Sequence, residues 1–314
     1  MILSFDENLN RLFMMEVRGY LDFILKSLKD KNFMSLYPTA WPPVGIQYYF
    51  QKKIVKRSLQ IRLPRSFPQQ QRSRVLAICC YMADRPNLVN HLVESVEEAK
   101  LTKIDFVISN NTSVPPCNAA RPYVKYSMPR TPKYRAISRI MKEQFKPIHD
   151  HVIIIDDDVR FPPNFFDKYF KIVKGLGLIL SQPALTRDSY GQEPSSCCLH
   201  VKGAIAHLVS FIEIGPVTCF EKRILPLLPF EGDSPMGWGL DFVWARICRD
   251  RRWPMGIVDL VPVQHNLREI AKNYDKKRET ALMRAYLSRT PHVPLWAKEV
   301  IGQIIFEKDC PELS

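Results

Sequence analysis

The chain has 314 residues, 46% of them hydrophobic, which is enough for one large domain or two modest ones with an apolar core and excludes disorder as the default. Lys and Arg outnumber Asp and Glu by 45 to 32, a formal net charge of +13. This charge is compatible with phosphorylated small molecules, nucleic acid or an acidic membrane face, and alone it does not choose among them.

The N-terminus and the cysteines favour a cytoplasmic location. The opening "MILSFDENLNRLFMM" lacks the basic start, apolar core and cleavage site of a signal peptide, and no apolar run reaches the roughly 18 residues of a membrane span. The eight cysteines include the adjacent pairs Cys79/Cys80 and Cys197/Cys198 but no CxxC spacing, so we expect buried apolar thiols rather than a zinc ribbon.

Residues 1–73 are predicted to form a helical, basic extension and linker. Apolar residues recur at helical spacing over 8–29, which predicts an amphipathic helix. From Gln51 to Ala83 there is no acidic residue, and eight are basic. Such a stretch could contact anionic lipid at the inner membrane face, and a merely solvated linker is the alternative.

From Arg74 onward, strand and helix patterns alternate. In order they are the strand "VLAICCYMA", the helix "RPNLVNHLVESVEEAK", the strand "KIDFVISNN", the helix "KYRAISRIMKEQF" and the strand "HVIIIDDDV". This order predicts an α/β domain over 74–266 with a mixed, mainly parallel, Rossmann-like sheet and helices on both faces. Ligands of such sheets collect at the carboxyl ends of the strands. No GxGxxG or P-loop is present, so dinucleotide binding and ATPase chemistry lack their signatures.

Residues 267–314 are predicted to be a helical C-terminal extension. "REIAKNYDKKRETALMRAYLSR" is a basic helical segment, and "PHVPLWAKEVIGQIIF" is expected to pack back on the domain.

Three consecutive aspartates, Asp156 to Asp158, end the third strand of the domain. Alternate side chains of a strand point the same way, so Asp156 and Asp158 project together while Asp157 points elsewhere. Carboxylates so close repel one another unless a cation lies between them, and oxygen ligands suit Mn²⁺ or Mg²⁺. The alternative is an acidic turn or helix N-cap.

A hydrophobic strand ending in Asp-x-Asp, between a basic helix and an aromatic, Pro-rich turn, resembles the nucleotide-sugar site of GT-A glycosyltransferases, particularly the family 2-like branch. The resemblance implies that Asp156 contacts the ribose of the nucleotide and that Asp158 coordinates a metal bridging the diphosphate. It also implies that Asp84 helps to hold the nucleoside and that Lys133 or Arg139 meets the diphosphate. The donor-binding residues so implied are Asp84, Lys133, Arg139, Asp156 and Asp157.

A second motif is "SPMGWGLDFVWARI", residues 234–247. It is similar to the Gly-Trp-Gly plus acidic element of several GT-A families. The resemblance implies that Asp241 is the general base for an acceptor hydroxyl and that Trp238 is an apolar platform for an acceptor sugar. A tight turn with Asp241 as helix N-cap is the alternative.

A third motif is "GIVDLVPVQHNLRE", residues 256–269, which places His265 at the end of a strand. The GT-A resemblance implies that His265 joins Asp156 and Asp158 as a metal ligand, although a single His is more often a structural hydrogen bonder. "SQPAL" together with the Gly-Trp-Gly-x-Asp-Phe element also resembles an uncharacterised plant and bacterial group defined by a domain of unknown function. The resemblances cover roughly residues 74–270.

The sequence thus predicts a glycosyltransferase dependent on Mn²⁺ or Mg²⁺. We expect it to move a sugar from a nucleotide-sugar donor to a hydroxyl of a glycan, lipid-linked or other acceptor in polysaccharide biosynthesis, inverting the anomeric centre. One alternative is a haloacid-dehalogenase-like phosphohydrolase that uses Asp156 and Asp158. The other is a catalytically inactive binding protein. Without zinc-finger, RNP or GXXG motifs, nucleic acid is not an expected partner.

Overall fold

The computed structural model describes residues 72–190, 197–269, 274–294, 298 and 300–306, and the backbone of 59–63. All of these residues belong to the compact unit Phe50–Ser314. The amphipathic helix predicted over 8–29 and most of the basic linker lie outside the described residues. Within the described part of the chain, no helix has the length and apolar character needed to cross a membrane.

The described residues include ten strands that form one sheet. They are β1 (Leu59–Leu63), β2 (Ser73–Tyr81), β3 (Thr102–Asn110), β4 (Val124–Ser127), β5 (His151–Asp156), β6 (Leu180–Leu185), β7 (Ala206–Val209), β8 (Val217–Glu221), β9 (Met255–Val263) and β10 (Val300–Phe306). Their order across the sheet is β1-β10-β7-β9-β6-β8-β5-β2-β3-β4. Five of the nine pairings are parallel, so the sheet is mixed as predicted.

Five α-helices accompany the sheet in the described residues. They are α1 (Val89–Glu98), α2 (Lys133–Gln144), α3 (Phe165–Gly175), α4 (Leu240–Asp250) and α5 (Lys276–Leu287). Short 3-10 turns lie at Arg121–Tyr123 and Leu225–Leu227.

Helices cover both faces of the sheet, as the sequence predicts. His151 packs on Phe170 of α3, with ring centroids 5.3 Å apart, and it pairs in register with Val75 of β2. Cys80 of β2 is five residues after Val75 and so points to the other face of the sheet. Its Sγ lies 3.8 Å from the carbonyl oxygen of Lys133 at the start of α2. Since odd and even residues of a strand point to opposite faces, α3 and α2 lie on opposite sides.

The carboxyl ends of the parallel strands β2, β3 and β5 meet at one edge of the sheet. Their register is fixed by pairs such as Cys80 with Ser109 and Cys80 with Asp156. β8 runs antiparallel to β5, so its amino end, at Val217 opposite Ile155, reaches the same edge. After His151, β5 is apolar and buried on both faces, as parallel strands between two helix layers are, so its carboxylates appear only at its carboxyl end.

The prediction of a wholly helical C-terminal extension is wrong for residues 300–306. Helix α5 is present and is capped by Asp275, whose carboxylate accepts hydrogen bonds from the N–H groups of Lys277 (2.9 Å) and Arg278 (3.1 Å). The later run "VIGQIIF" is strand β10, antiparallel to β7 and parallel to β1. Its Ile and Val residues favour a strand, and β7 offers an unpaired edge for it. The boundaries at 73/74 and 266/267 stay predictions.

Candidate active site

The three predicted metal ligands lie together at the carboxyl edge of the sheet. Asp156 is the last residue of β5, Asp158 follows it by two, and His265 follows β9. One ligand atom from each of the three lies within 4.8 Å of the others. His265 Nε2 is 3.1 Å from Asp158 Oδ1.

Main-chain contacts bring His265 to the aspartates. Arg160 and Gln264 form a β-bridge with hydrogen bonds of 2.9 and 3.0 Å, which ties the segment after β5 to the segment after β9. Ser189 Oγ accepts a hydrogen bond of 3.0 Å from the His265 N–H, and Tyr190 N–H donates one of 2.7 Å to the His265 carbonyl. The main chain of His265 is therefore held by hydrogen bonds at both its N–H and its carbonyl group.

Asp157 points away from its two neighbours and braces the loop after β2. Asp157 is 2% exposed as a whole residue. Its Oδ2 accepts a hydrogen bond of 2.8 Å from Met82 N–H, and its carbonyl accepts one of 2.6 Å from Leu88 N–H. Burial raises the pKa of Asp157 to about 6, against the opposing charge of Arg268. The structure thus places this predicted donor contact in the protein interior.

Lys133 lies beside Asp156. Its Nζ is 2.6 Å from Asp156 Oδ1. Burial lowers the pKa of Lys133, but the negative charge of Asp156 outweighs it and the net shift is upward. The backbone of Gly215 closes this corner, because a Cβ added there would lie 3.2 Å from Lys133 Nζ and 3.3 Å from Asp156 Oδ2.

Sequence reasoning missed Arg268, which contacts two of the three aspartates. Its Nε donates to Asp158 Oδ2 at 2.8 Å, and its Nη2 donates to Asp157 Oδ1. Burial raises the pKa of Asp158, but hydrogen bonds from His265 and Arg268 hold it well below its usual range. Burial lowers the pKa of His265, and Asp158 more than reverses this. The available signal was an arginine three residues after the predicted ligand in "HNLR".

Asp241 lies in the first turn of α4 and is 8% exposed. Its Oδ1 accepts a hydrogen bond of 3.0 Å from Phe242 N–H. Burial raises the pKa of Asp241 to about 7, with Lys298 acting against the shift and Glu213 adding to it. Tyr134, buried at the start of α2, has its pKa raised first by burial and then by the charges of Asp156 and Asp241, so both carboxylates lie near this ring.

Trp238 sits between two glycines that adopt left-handed backbone conformations. Gly237 has φ 87° and Gly239 has φ 98°. A Cβ on Gly237 would lie 2.2 Å from Tyr134 Cδ2, so only glycine fits there. The Trp238 indole is half-buried, and its Nε1 donates to Tyr274 OH at 3.2 Å.

Two predicted donor residues are not brought into the cluster. Asp84 lies in the loop that Asp157 braces, but its carboxylate is exposed and lies 3.6 Å from Arg85 Nε. Arg139 is exposed and pairs with Glu143 at 3.0 Å. It is six residues after Lys133, about 9 Å farther along α2. Of the two basic candidates on this helix, Lys133 is the one beside the aspartates.

No protein-family model matches the chain. No curated protein matches it either. Similar solved structures include GalNAc-T7 with UDP, GalNAc and Mn²⁺, at 13% identity and TM-score 0.48 over 66% of this chain and 46% of that one. Another is S. aureus TarS 1-349, at 8% identity and TM-score 0.41 over 60% of this chain and 58% of that one. A third is glucosyl-3-phosphoglycerate synthase from Mycobacterium tuberculosis with Mn²⁺, UDP and phosphoglyceric acid. Its identity is 13% and its TM-score 0.43, over 79% of this chain and 81% of that one. The chain spans less than two thirds of the length of the first two.

Proposed function

We propose that this chain is a metal-dependent glycosyltransferase that moves a sugar from a nucleotide-sugar donor to a hydroxyl group of a glycan, lipid-linked or other acceptor, with inversion. The observation that carries the proposal is the cluster of Asp156, Asp158 and His265, whose ligand atoms lie within 4.8 Å of one another at the carboxyl edge of the sheet. Asp241 is a buried carboxylic acid in the first turn of α4, and we assign it the separate task of general base.

The donor set fits a divalent cation. Two carboxylates and one imidazole converge, and Asp158 and His265 are buried. Mg²⁺ is bound through oxygen ligands, so a set that includes an imidazole favours Mn²⁺. A cation held by these three residues would supply positive charge to the departing diphosphate.

Asp241 is the proposed base. Its pKa of about 7 lets it exist as carboxylate at neutral pH while still binding a proton readily, the condition under which a general base is most effective. A base that activates the acceptor hydroxyl directly gives one displacement at the anomeric carbon and therefore inversion. The half-buried indole of Trp238, three residues before the base, offers an apolar face to the acceptor sugar.

In this proposal, Lys133 supplies positive charge to the diphosphate of the nucleotide sugar. Its ammonium pairs with Asp156 at 2.6 Å and sits in a corner closed by Gly215, where a diphosphate oxygen could replace the carboxylate as its partner.

The electrostatics of Asp158 argue against the phosphohydrolase alternative. In that chemistry the second aspartate of the motif must donate a proton. Here hydrogen bonds from His265 and Arg268 hold the pKa of Asp158 well below its usual range, so its carboxyl group stays ionised. A catalytically inactive binding protein stays open as the second alternative.

The test is turnover of a panel of UDP-, GDP-, ADP- and TDP-sugars with Mn²⁺, using glycan and lipid-linked acceptors. We expect Mn²⁺-dependent release of the nucleoside diphosphate with one donor, and loss of at least about a hundredfold in Asp158→Asn. NMR of the product, recorded early, should show inversion at the anomeric carbon. Asp150→Asn is the matched control, since Asp150 directly precedes β5 and so lies at the amino end of the strand that Asp156 ends. Phosphate release from a simple phosphate ester without sugar transfer would contradict the proposal.

A further inference from the structure

Arg268 donates a hydrogen bond to the carboxylate through which Asp158 would bind a cation. Both oxygens of Asp158 are engaged, Oδ1 by His265 Nε2 at 3.1 Å and Oδ2 by Arg268 Nε at 2.8 Å. The guanidinium also donates to Asp157 Oδ1 through Nη2. A cation that takes an oxygen of Asp158 must therefore displace one of these two donors or lie against a full positive charge.

We propose that Arg268 is an internal counter-ion that competes with the divalent cation for Asp158 and so sets the metal affinity of the site. The inference rests on the proposed function, because it takes Asp156, Asp158 and His265 as the metal ligands. His265 can turn its ring nitrogen from Asp158 to the metal and remain part of the site. Arg268 cannot move onto the metal in this way, since a guanidinium has no lone pair with which to bind a metal.

The charges around the cluster support this competition. Three carboxylates lie in sequence, but Asp156 is paired with Lys133 and the other two with Arg268. The site is therefore much less negative than three aspartates would make it. The Arg268 pair is also the better shielded of the two, because the side chains of Asp157 and Asp158 are 1% and 4% exposed against 25% for Asp156. Burial strengthens the hold of the guanidinium on Asp158 relative to an exposed pair.

The orientation of Arg268 is specific rather than a loose surface contact. Two of its nitrogens bind two different carboxylates, and its third nitrogen, Nη1, is buried without a hydrogen-bond partner among the described residues. A buried donor without a partner is a destabilising feature. Among the described residues, the hydrogen bonds of this side chain go to the two aspartates, and it is the group that must give way to a metal.

The experiment is Mn²⁺ binding, followed by the electron paramagnetic resonance signal of free Mn²⁺ at fixed pH and ionic strength. We expect Arg268→Gln to bind Mn²⁺ about tenfold more tightly or better, because a full charge at ion-pair distance from the ligand is removed. Arg268→Lys keeps the charge and should stay near wild type. Asp158→Asn should lose binding.

Arg85→Gln is the matched control. Arg85 also has a buried Nη1 without a hydrogen-bond partner in the described part of the chain, and it lies at the same end of the strands. It pairs with exposed Asp84 at 3.6 Å and not with the cluster. Its replacement should leave Mn²⁺ affinity unchanged. An equal gain in Arg85→Gln would show a general effect of net charge and overturn the inference.

Arg268→Gln leaves Asp157 buried without its counter-ion, so folding must be checked by circular dichroism. If it does not fold, the variant Asp157→Asn with Arg268→Gln removes both charges and is compared with Asp157→Asn alone. Affinity that is equal or weaker without Arg268, with binding still lost in Asp158→Asn, would overturn the inference and leave the metal site of the proposed function intact. Absence of Mn²⁺ binding in wild type and in the Arg268 variants would overturn both.

Discussion

At the scale of single residues, Asp241 shows how burial can prepare a group for proton transfer. It lies in the first helical turn of α4, with its nearest hydrogen-bond donor the N–H of Phe242. Removal from water raises its pKa, and the charge of Lys298 and backbone hydrogen bonds act against the shift. An exposed aspartate at the same position would be fully ionised at neutral pH but a much weaker base.

The first prediction concerns the pH dependence of turnover. The active form of a base is deprotonated, so the rate should rise with pH and reach half its maximum near pH 7, the pKa of Asp241. Asp241→Asn should lower the rate by about a hundredfold or more and remove this rise. Initial rates measured from pH 5 to pH 9 with the active donor test this, and a flat profile in wild type would count against Asp241 as the base.

The second prediction concerns stability. The pKa of Asp241 is about 7 in the folded protein and about 4 in an unfolded chain, so the folded state binds the proton more tightly. Its contribution to stability is fully present below about pH 4 and is lost as pH rises through 7. Asp241→Asn should therefore gain in Tm relative to wild type between pH 4 and pH 7, and the gap should then level off. A gap independent of pH would contradict the raised pKa.

At the scale of elements, the Gly-Trp-Gly turn joins the two helices that flank the site. Gly237 packs against Tyr134 of α2, and Gly239 leads into α4, which carries Asp241. Ser234 Oγ accepts a hydrogen bond of 3.0 Å from Trp238 N–H and donates to Glu279 of α5. The turn thus fixes Asp241 and the Trp238 indole relative to Lys133, the residue before Tyr134.

The third prediction separates backbone strain from crowding at this turn. Gly237→Ala adds a Cβ at φ 87° and only 2.2 Å from the Tyr134 ring, whereas Gly203→Ala adds one at φ 83° with no atom within 4 Å. The Gly203 variant should lose about 1 kcal/mol of unfolding free energy from strain alone. The Gly237 variant should lose about 1–3 kcal/mol more, because the ring must move. Urea unfolding of both measures this, and equal losses would contradict the packing described.

The elements β2, α1, β3, α2 and β5 were predictable because each carries its own local signal. Such apolar runs and amphipathic helices need no knowledge of distant residues. Strands β7 and β8 were not predicted, since they are only four and five residues long and gain their partners from distant strands. Strand β10 was taken for part of a helical extension because its partners β1 and β7 are distant in the sequence.

The candidate site divides in the same way. Asp156, Asp158 and His265 could be named from motif order, and Lys133 from its helix. Arg268 could not be named, because it lies 110 residues after Asp158 in the sequence. Their contact depends on the path that the chain takes after β9. Nor could the exposed position of Arg139 be predicted, since sequence alone did not fix which turn of α2 approaches β5.

At the scale of the whole molecule, the net charge of +13 is unevenly distributed along the chain. The stretch from Gln51 to Ala83 has eight basic residues and no acidic one, and most of it lies outside the described residues. A basic segment in a chain with the proposed sugar-transfer activity suits an acceptor held at an anionic surface. Contact with the inner membrane face stays a prediction.

The fourth prediction tests that contact with the full chain. Co-sedimentation with vesicles that contain anionic lipid should be strong at about 50 mM salt and weak at about 500 mM, because the Debye length falls from roughly 14 Å to 4 Å. Neutral phosphatidylcholine vesicles are the control. Unchanged partitioning between anionic and neutral vesicles at low salt would exclude electrostatic membrane contact.

The most direct test of the central claim is a thermal-shift measurement with nucleoside diphosphates and nucleotide sugars, with and without Mn²⁺, on wild type, Asp158→Asn and Asp150→Asn. We predict that one nucleotide class raises the Tm of wild type and Asp150→Asn only when Mn²⁺ is present, since a ligand that binds only the folded state stabilises it. Asp158→Asn should show no such shift. Equal shifts in all three proteins, or none with any nucleotide and Mn²⁺, would contradict a metal-dependent nucleotide-sugar site at Asp156, Asp158 and His265.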